Sequence, residues 1–222
     1  MTSRILCVIG LSSLAAACAT SKVAETVEPT VVMEPSPEVP VQWRTVAKPN
    51  DAVAIDTLSQ RWQAALAAVK QWRRPAVEAE GVLLDPEASL VRPLPPPGRY
   101  RCRYLRLAQK QGGFQAFKPW FCFVAEEGDL TTLTKVTGDE RPSGRLWPDG
   151  DERLVFLGTV AHGKDKAALA YGDSPAANAA GILERVGDFQ WRLVLLRTED
   201  RGIDVVELVP DVPPLPLASA MP

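Results

Sequence analysis

Arg99-Tyr100-Arg101-Cys102-Arg103-Tyr104-Leu105-Arg106-Leu107-Ala108 and Gln115-Ala116-Phe117-Lys118-Pro119-Trp120-Phe121-Cys122-Phe123-Val124-Ala125 decide the fold. They are two β-like runs on either side of a turn-rich stretch, the pattern of a hairpin. Setting Cys102 opposite Cys122 makes Lys110 oppose Phe114 and leaves Gln111-Gly112-Gly113 as the loop. Such a loop favours a left-handed residue at its end, and Gly113 supplies one. The same register pairs Tyr104 with Trp120 and Tyr100 with Val124 on the cysteine face. On the other face it sets Arg101 against Phe123 and Arg103 against Phe121, so guanidinium groups can stack on rings. Cys102 and Cys122 are expected to form a structural disulfide, worth about 3 kcal/mol for a loop of this length. They lack the close spacing of redox-exchange motifs.

Downstream, short apolar runs split by turn residues continue the β pattern. Strands are expected near 99–108, 115–125, 130–137, 153–161, 181–186, 189–197 and 203–209. Gly187-Asp188 and Pro148-Asp149-Gly150-Asp151 read as turns, and connections this short favour antiparallel pairing. Upstream, Ile55, Leu58, Trp62, Ala65, Leu66 and Val69 have the spacing of one buried helix face. Asn50 or Asp51 can cap that helix, and Pro75 is expected to stop it near Arg74. Trp62 reads as core. Asp85-Pro86-Glu87 suggests a short helical turn. The expected fold is α+β: an N-terminal helix packed on a curved, mostly antiparallel sheet of about seven strands, barrel-like in its curvature, with closed edges and room for an apolar pocket.

The ends of the chain are of another kind. Arg4, the apolar run Ile5 to Leu14 and the small residues Ala15-Ala16-Ala17 before Cys18 read as an export signal. The run is too short to span a bilayer as a helix. Two cuts compete. In the preferred one, Cys18 takes lipid and becomes the N-terminus, although Ala15 stands where a lipobox usually has Leu. In the other, Ala15-x-Ala17 is a plain secretory site and Cys18 stays a free thiol, which suits an oxidising compartment poorly. Residues 1–17 are thus expected to be the signal peptide and 18–50 a lipidated Cys with an extended Pro/Glu-rich tether. Residues 51–209 are expected to be a single globular domain and 210–222 a Pro-rich tail. The expected location is the cell envelope, with the protein lipid-anchored to the outer membrane and facing the periplasm.

The 222 residues carry a formal charge of −2, and such a weak balance argues against nucleic acid as partner. One His and four Cys leave little material for a metal site, so no metal or cofactor is expected. Cys7 leaves with the signal. The polar stretch from Lys135 to Trp147 offers Lys135, Arg141 and Arg145 as candidate binding residues, against a plain structural connection. The basic first hairpin, Arg99 to Lys118, reads either as an anion site or as a solvated face. Gly172-Asp173-Ser174 fails as a nucleophile motif, because the only His, His162, precedes it and no acid–His pair follows. Asp149 with Asp151 has turn spacing. Phosphate-cradling and dinucleotide fingerprints are absent.

Gly98-Arg99-Tyr100-Arg101-Cys102-Arg103, Pro119-Trp120-Phe121-Cys122, Lys135-x-Thr137-Gly138-x-x-Arg141-Pro142-x-Gly144, Val155-Phe156-Leu157-Gly158, Gly181-Ile182-Leu183-Glu184-Arg185 and Trp191-Arg192-Leu193 occur in that order. This series resembles the domain of unknown function 4893 family, found mainly in alphaproteobacterial envelope proteins, over residues 50–210. Asp139-Glu140 stands where smaller or neutral polar residues are expected. The resemblance implies a Gram-negative envelope protein and carries over no catalytic residue. The function expected is a non-catalytic domain that binds a small ligand or an envelope protein on a membrane tether. An enzyme acting on envelope material, with Lys135, Arg141 and nearby acids, is the first alternative. A structural or assembly factor is the second.

Overall fold

The computed structural model describes residues 42–108, 113–197 and 202–211. Cys18, the leader and most of the tether and tail lie outside them, as does the tip of the first hairpin. Among the described residues the helices are α1 (Trp43–Val46), α2 (Pro49–Asp56) and α3 (Leu58–Glu78), followed by a 3₁₀ turn at Gly81–Leu84. The strands are β1 (Gly98–Ala108), β2 (Gly113–Ala116), β3 (Trp120–Glu127), β4 (Leu130–Lys135), β5 (Glu140–Pro148), β6 (Arg153–His162), β7 (Asn178–Gly187), β8 (Gln190–Leu196) and β9 (Ile203–Pro210).

The sheet is antiparallel in the order β2-β1-β3-β4-β5-β6-β7-β8-β9, and β1 also pairs with β9, which closes a barrel. β2 and β3 share one side of β1: β2 pairs with its C-terminal half and β3 with its N-terminal half. Phe117-Lys118-Pro119 is the break between them. A proline has no N–H for the ladder, so the run read as one strand is two.

That break also resets the register. Tyr100, not Cys102, stands opposite Cys122, and Cys102 stands opposite Trp120. Leu107, not Lys110, faces Phe114; Lys110 and most of the expected loop lie outside the described residues. β3 slips by two positions, which keeps each of its side chains on its face, whereas β2 slips by three and turns Phe114 towards the helices. Cys102 and Cys122 therefore still share the barrel interior and form a diagonal disulfide with a Cα–Cα distance of 5.9 Å. On the outer face the cation–ring pairs change partners, and Phe121 lies 5.5 Å from the Arg99 guanidinium and 5.9 Å from that of Arg101.

β5 occupies the stretch expected to be a loop. Pro142 is compatible with a strand here because of where its nitrogen points. Its partner Val160 donates its N–H away, to Ala177 O. The nitrogen of Pro142 therefore faces the opposite side, where the β4 ladder has ended at Ser143. The hairpin loop after β7 is Asp188-Phe189, one residue later than expected.

Alternation along the strands builds two cores. The interior is filled by Tyr100, Cys102, Phe156, Leu183, Leu193 and Val206 among others. Gly144 and Gly158 face each other so closely that a Cβ on either would meet backbone and the Phe156 ring at under 3.0 Å. At one end Tyr100 and Trp191 meet edge to face with ring centres 6.0 Å apart, and Tyr100 donates to Pro96 O at 2.6 Å. That end is plugged.

The second core lies outside the barrel, between the helices and Leu105, Leu107, Val155, Ile182, Val194 and Val205. The expected apolar helix face is buried there, Trp62 included. Among the described residues the first helix starts at Trp43, inside the stretch read as tether, where the buried indole donates to Asp149 Oδ1 at 3.0 Å. Pro75 distorts the helix without ending it: Arg73 leaves helical geometry and the helix resumes to Glu78. At Asp85 the chain makes a turn rather than a helix, with Glu87 N–H donating to Asp85 Oδ1.

Arg192, 0% exposed, holds this layer together. Its guanidinium lies 4.4 Å from the Trp62 ring centre, pairs with Glu184 at 2.8 Å, and donates to the carbonyls of Val82 (2.9 Å) and Asp85 (2.5 Å). Breaking a buried pair from one side strands the other charge and costs about 3–5 kcal/mol. Arg192→Met should therefore lower unfolding free energy by about that amount in urea titration. Adding Glu184→Leu should restore part of the loss, with the carbonyls still open. An unchanged midpoint for Arg192→Met would contradict this role.

Candidate functional site

Opposite the plugged end, the barrel interior changes from apolar to charged. The C-terminal half of β1 supplies Tyr104 and Arg106, the end of β4 Lys135, the start of β5 Glu140, and the start of β9 Asp204. All are brought there by inward-facing strand positions. Phe117, the first residue of the break between β2 and β3, and Trp120, the first after it, also line this end. The result is an open cleft of about 470 Å³ lined by Tyr104, Arg106, Phe117, Trp120, Lys135 and Glu140, with Gly138 and Asp139 at its rim.

Arg106 organises the carboxylates. It donates to both oxygens of Asp204 at 2.9 Å and pairs closely with Glu140. Asp204 also receives Arg197 at 3.3 Å. The Asp204 hydrogen bonds hold the Arg106 pKa above its ordinary value. Both acids are thus committed to guanidinium groups.

Lys135 is different. It is 4% exposed, and its ammonium donates to the carbonyls of Thr137 (2.5 Å) and Glu140 (2.7 Å). Among the described residues it has no carboxylate partner within ion-pair distance, although buried ammonium groups are ordinarily paired. Burial, reinforced by the charge of Arg141, pushes its pKa down to about 8 against the opposing pull of Glu140 and Asp139. The ammonium lies 5.3 Å from the Tyr104 ring centre. Tyr104 is 6% exposed, and its hydroxyl makes no hydrogen bond among the described residues. Burial, with Asp204 and Glu140 adding to it, raises the Tyr104 pKa well above the ordinary value, so the hydroxyl stays a donor.

Gly138 sets the spacing between amine and indole. It has φ +85°, and a Cβ there would come within 2.8 Å of Lys135 Nζ and 3.4 Å of the Trp120 indole. Only glycine lets this turn close over the amine. The indole of Trp120, 46% exposed, lies across that bare backbone.

Of the three binding residues read from the sequence, the structure places only Lys135 in the cleft. Arg141 staples two loops from outside it, donating to Gly138 O (2.8 Å), Gly163 O (3.1 Å) and Asp165 O (2.7 Å). Arg145 sits on the outer face of β5, where it pairs with Glu127 at 2.6 Å. The stretch from 135 to 147 is a hairpin whose outward residues cannot converge with its inward ones.

Tyr104, Arg106, Trp120, Glu140 and Asp204 do not stand out as a group in the sequence. Counting in twos from Cys102 puts Tyr104 and Arg106 on its face, so a charge aimed inward was detectable. Asp204 was not, because its meeting with Arg106 depends on barrel closure. Elsewhere, the segment Gly172-Asp173-Ser174 is a turn, with Ser174 O accepting from Ala177 and Asn178. His162 is exposed at the end of β6, and its backbone N–H donates to Asp165.

The residues of the quoted motifs therefore divide. Cys102, Cys122, Gly144, Phe156, Gly158, Glu184 and Arg192 build the two cores, whereas Trp120, Lys135 and Gly138 build the mouth. No curated protein and no solved structure matches the chain. Residues 43–208 match the family described as Domain of unknown function (DUF4893), and the chain belongs to that family.

Proposed function

We propose that this domain binds a small ligand at the open mouth of its barrel and does no chemistry on it. The observation that carries the reading is the contrast between the two barrel ends. One is sealed by Tyr100 and Trp191, and the other keeps a cleft of about 470 Å³ with an aromatic wall and donors inside. A cleft of that size suits a small organic molecule. Binding is favoured over catalysis because Glu140 and Asp204 are held by Arg106 and Arg141 is spent on carbonyls. Among the described residues, the one acid lining the cleft that no guanidinium holds is Asp139, which is exposed at the rim and is not within ion-pair distance of the Lys135 amine.

The setting we propose is the cell envelope, with Cys18 lipidated and the domain held to the membrane by its tether. Two acyl chains give stable anchoring where one is marginal. The leader sequence supports this, and so does a disulfide, which fits an oxidising compartment. Fatty-acid labelling should disappear in Cys18→Ser; labelling that persists would remove the anchor.

The binding reading is tested by ligand-observed NMR with a library of small ring-bearing fragments. Hits that bind the full chain should lose their saturation-transfer signal in Trp120→Ala. A set of hits that ignores Trp120→Ala would place binding elsewhere and refute the mouth as the site.

A further inference from the structure

We infer that the ligand of the mouth is an organic oxyanion carrying a ring, with its charged oxygen on Lys135 and Tyr104 and its ring against Trp120. This rests on the mouth being the binding site and specifies what it selects. Three observations carry it. Among the described residues the Lys135 ammonium is buried without a carboxylate partner, and two of its three hydrogens are used on Thr137 O and Glu140 O. The third donor is left in a cleft that Lys135 itself lines. Tyr104, more than nine-tenths buried, lines the same cleft, and its hydroxyl has no hydrogen bond among the described residues. An unfilled cation beside an unfilled donor is the complement of a carboxylate, sulfonate or phosphate oxygen.

The neighbouring charges agree with this sign. Glu140 and Asp204 are neutralised by Arg106, with Arg197 adding to Asp204. Asp139 is exposed and solvated at the rim, and Arg141 faces Lys135 from the far side of the turn. A cationic ligand would meet Lys135 and Arg106 together. The lowered Lys135 pKa is the expected mark of an amine whose charge the fold leaves under-compensated. A ring is called for because Trp120 is 46% exposed over Gly138, and Phe117 lies across the gap in the wall. Exposed aromatic surface converging with buried donors is a stacking platform with a polar end.

The test uses two fluorescent probes with the same rings, 8-anilinonaphthalene-1-sulfonate and N-phenyl-1-naphthylamine, which lacks the sulfonate. With the full chain at pH 7, the sulfonate should bind about tenfold tighter than the neutral probe. Lys135→Met should remove that preference. Tyr104→Phe keeps the ring and the fold, and should weaken the sulfonate about threefold while leaving the neutral probe unchanged. Trp120→Ala should weaken both. Phe121→Ser, on the outer face beside Arg99 and Arg101, should change neither. Equal binding of the two probes with Trp120 dependence intact would overturn the oxyanion assignment and leave the mouth as a binding site. A preference that survives Lys135→Met, or that vanishes in Phe121→Ser, would likewise overturn it. Failure of both probes to bind would refute the mouth and the assignment together.

Discussion

The pairing of β1 with β9 is the constraint from which the rest of the molecule follows. It runs from Tyr100↔Pro210 to Leu107↔Ile203 and joins the two ends of the sheet in one ladder. With β3 and β2 on its other side, β1 has no free edge to manage. Closure sorts the side chains of β1 strictly. Outward, Arg103 reaches Glu207 and Glu80, while Leu105 and Leu107 go under the helices. Inward, Cys102 enters the core and Arg106 meets Asp204. The charged layer at the mouth exists because this seam puts an arginine and an aspartate from opposite ends of the domain at one level.

The two ends of the barrel then differ for physical reasons. At the plugged end large rings fill the diminishing space, and Tyr100 finds a carbonyl for its hydroxyl, which burial holds at a pKa of about 12. At the mouth the wall is interrupted at Phe117-Lys118-Pro119, and the side chains that would fill the space are charged. Arg106 is satisfied by two carboxylates. Lys135, lining the same cleft, meets two carbonyl dipoles and the Tyr104 ring but, among the described residues, no carboxylate. The fold thus compensates one buried cation fully and its neighbour partly. Arg192 gives the contrast: equally buried, it has a carboxylate, an indole and backbone carbonyls around it, and its cluster is structural.

Much of this was legible in the residues. The helix face from Ile55 to Val69 and the strand runs from Leu154 onward follow from periodicity and apolar runs alone, because their buried faces need only the nearest packing partner. The disulfide was legible as a shared face, since a slip of two positions leaves face unchanged; the register was not, because the proline break that sets it acts through a missing ladder bond. β5 was hidden by Pro142, Gly144 and its charges, which look like loop residues until the geometry of both neighbouring strands is known. Trp43 was hidden because its partner, Asp149, is distant in sequence. At the site, Lys135 stood out by residue type, and Arg141 and Arg145 stood out equally for other reasons: one ties loops together, and one pairs on the surface. Composition cannot separate these roles, because the separation is made by which side of a strand each residue takes.

The proposed ligand would supply the counter-ion that the buried Lys135 ammonium lacks among the described residues. The Lys135 amine should titrate near pH 8 in the free protein, well below an ordinary lysine. The unfolded chain keeps that proton to higher pH, so this residue weakens the fold below about 8 and ceases to do so as pH rises towards the ordinary lysine range. A bound anion favours the charged amine and must raise the midpoint. Lysine-selective NMR titration of the full chain, alone and saturated with 8-anilinonaphthalene-1-sulfonate, measures both. The midpoint should be depressed in the free protein and move upward on binding. An ordinary midpoint in the free protein, or one that saturation leaves in place, would contradict this reading of Lys135.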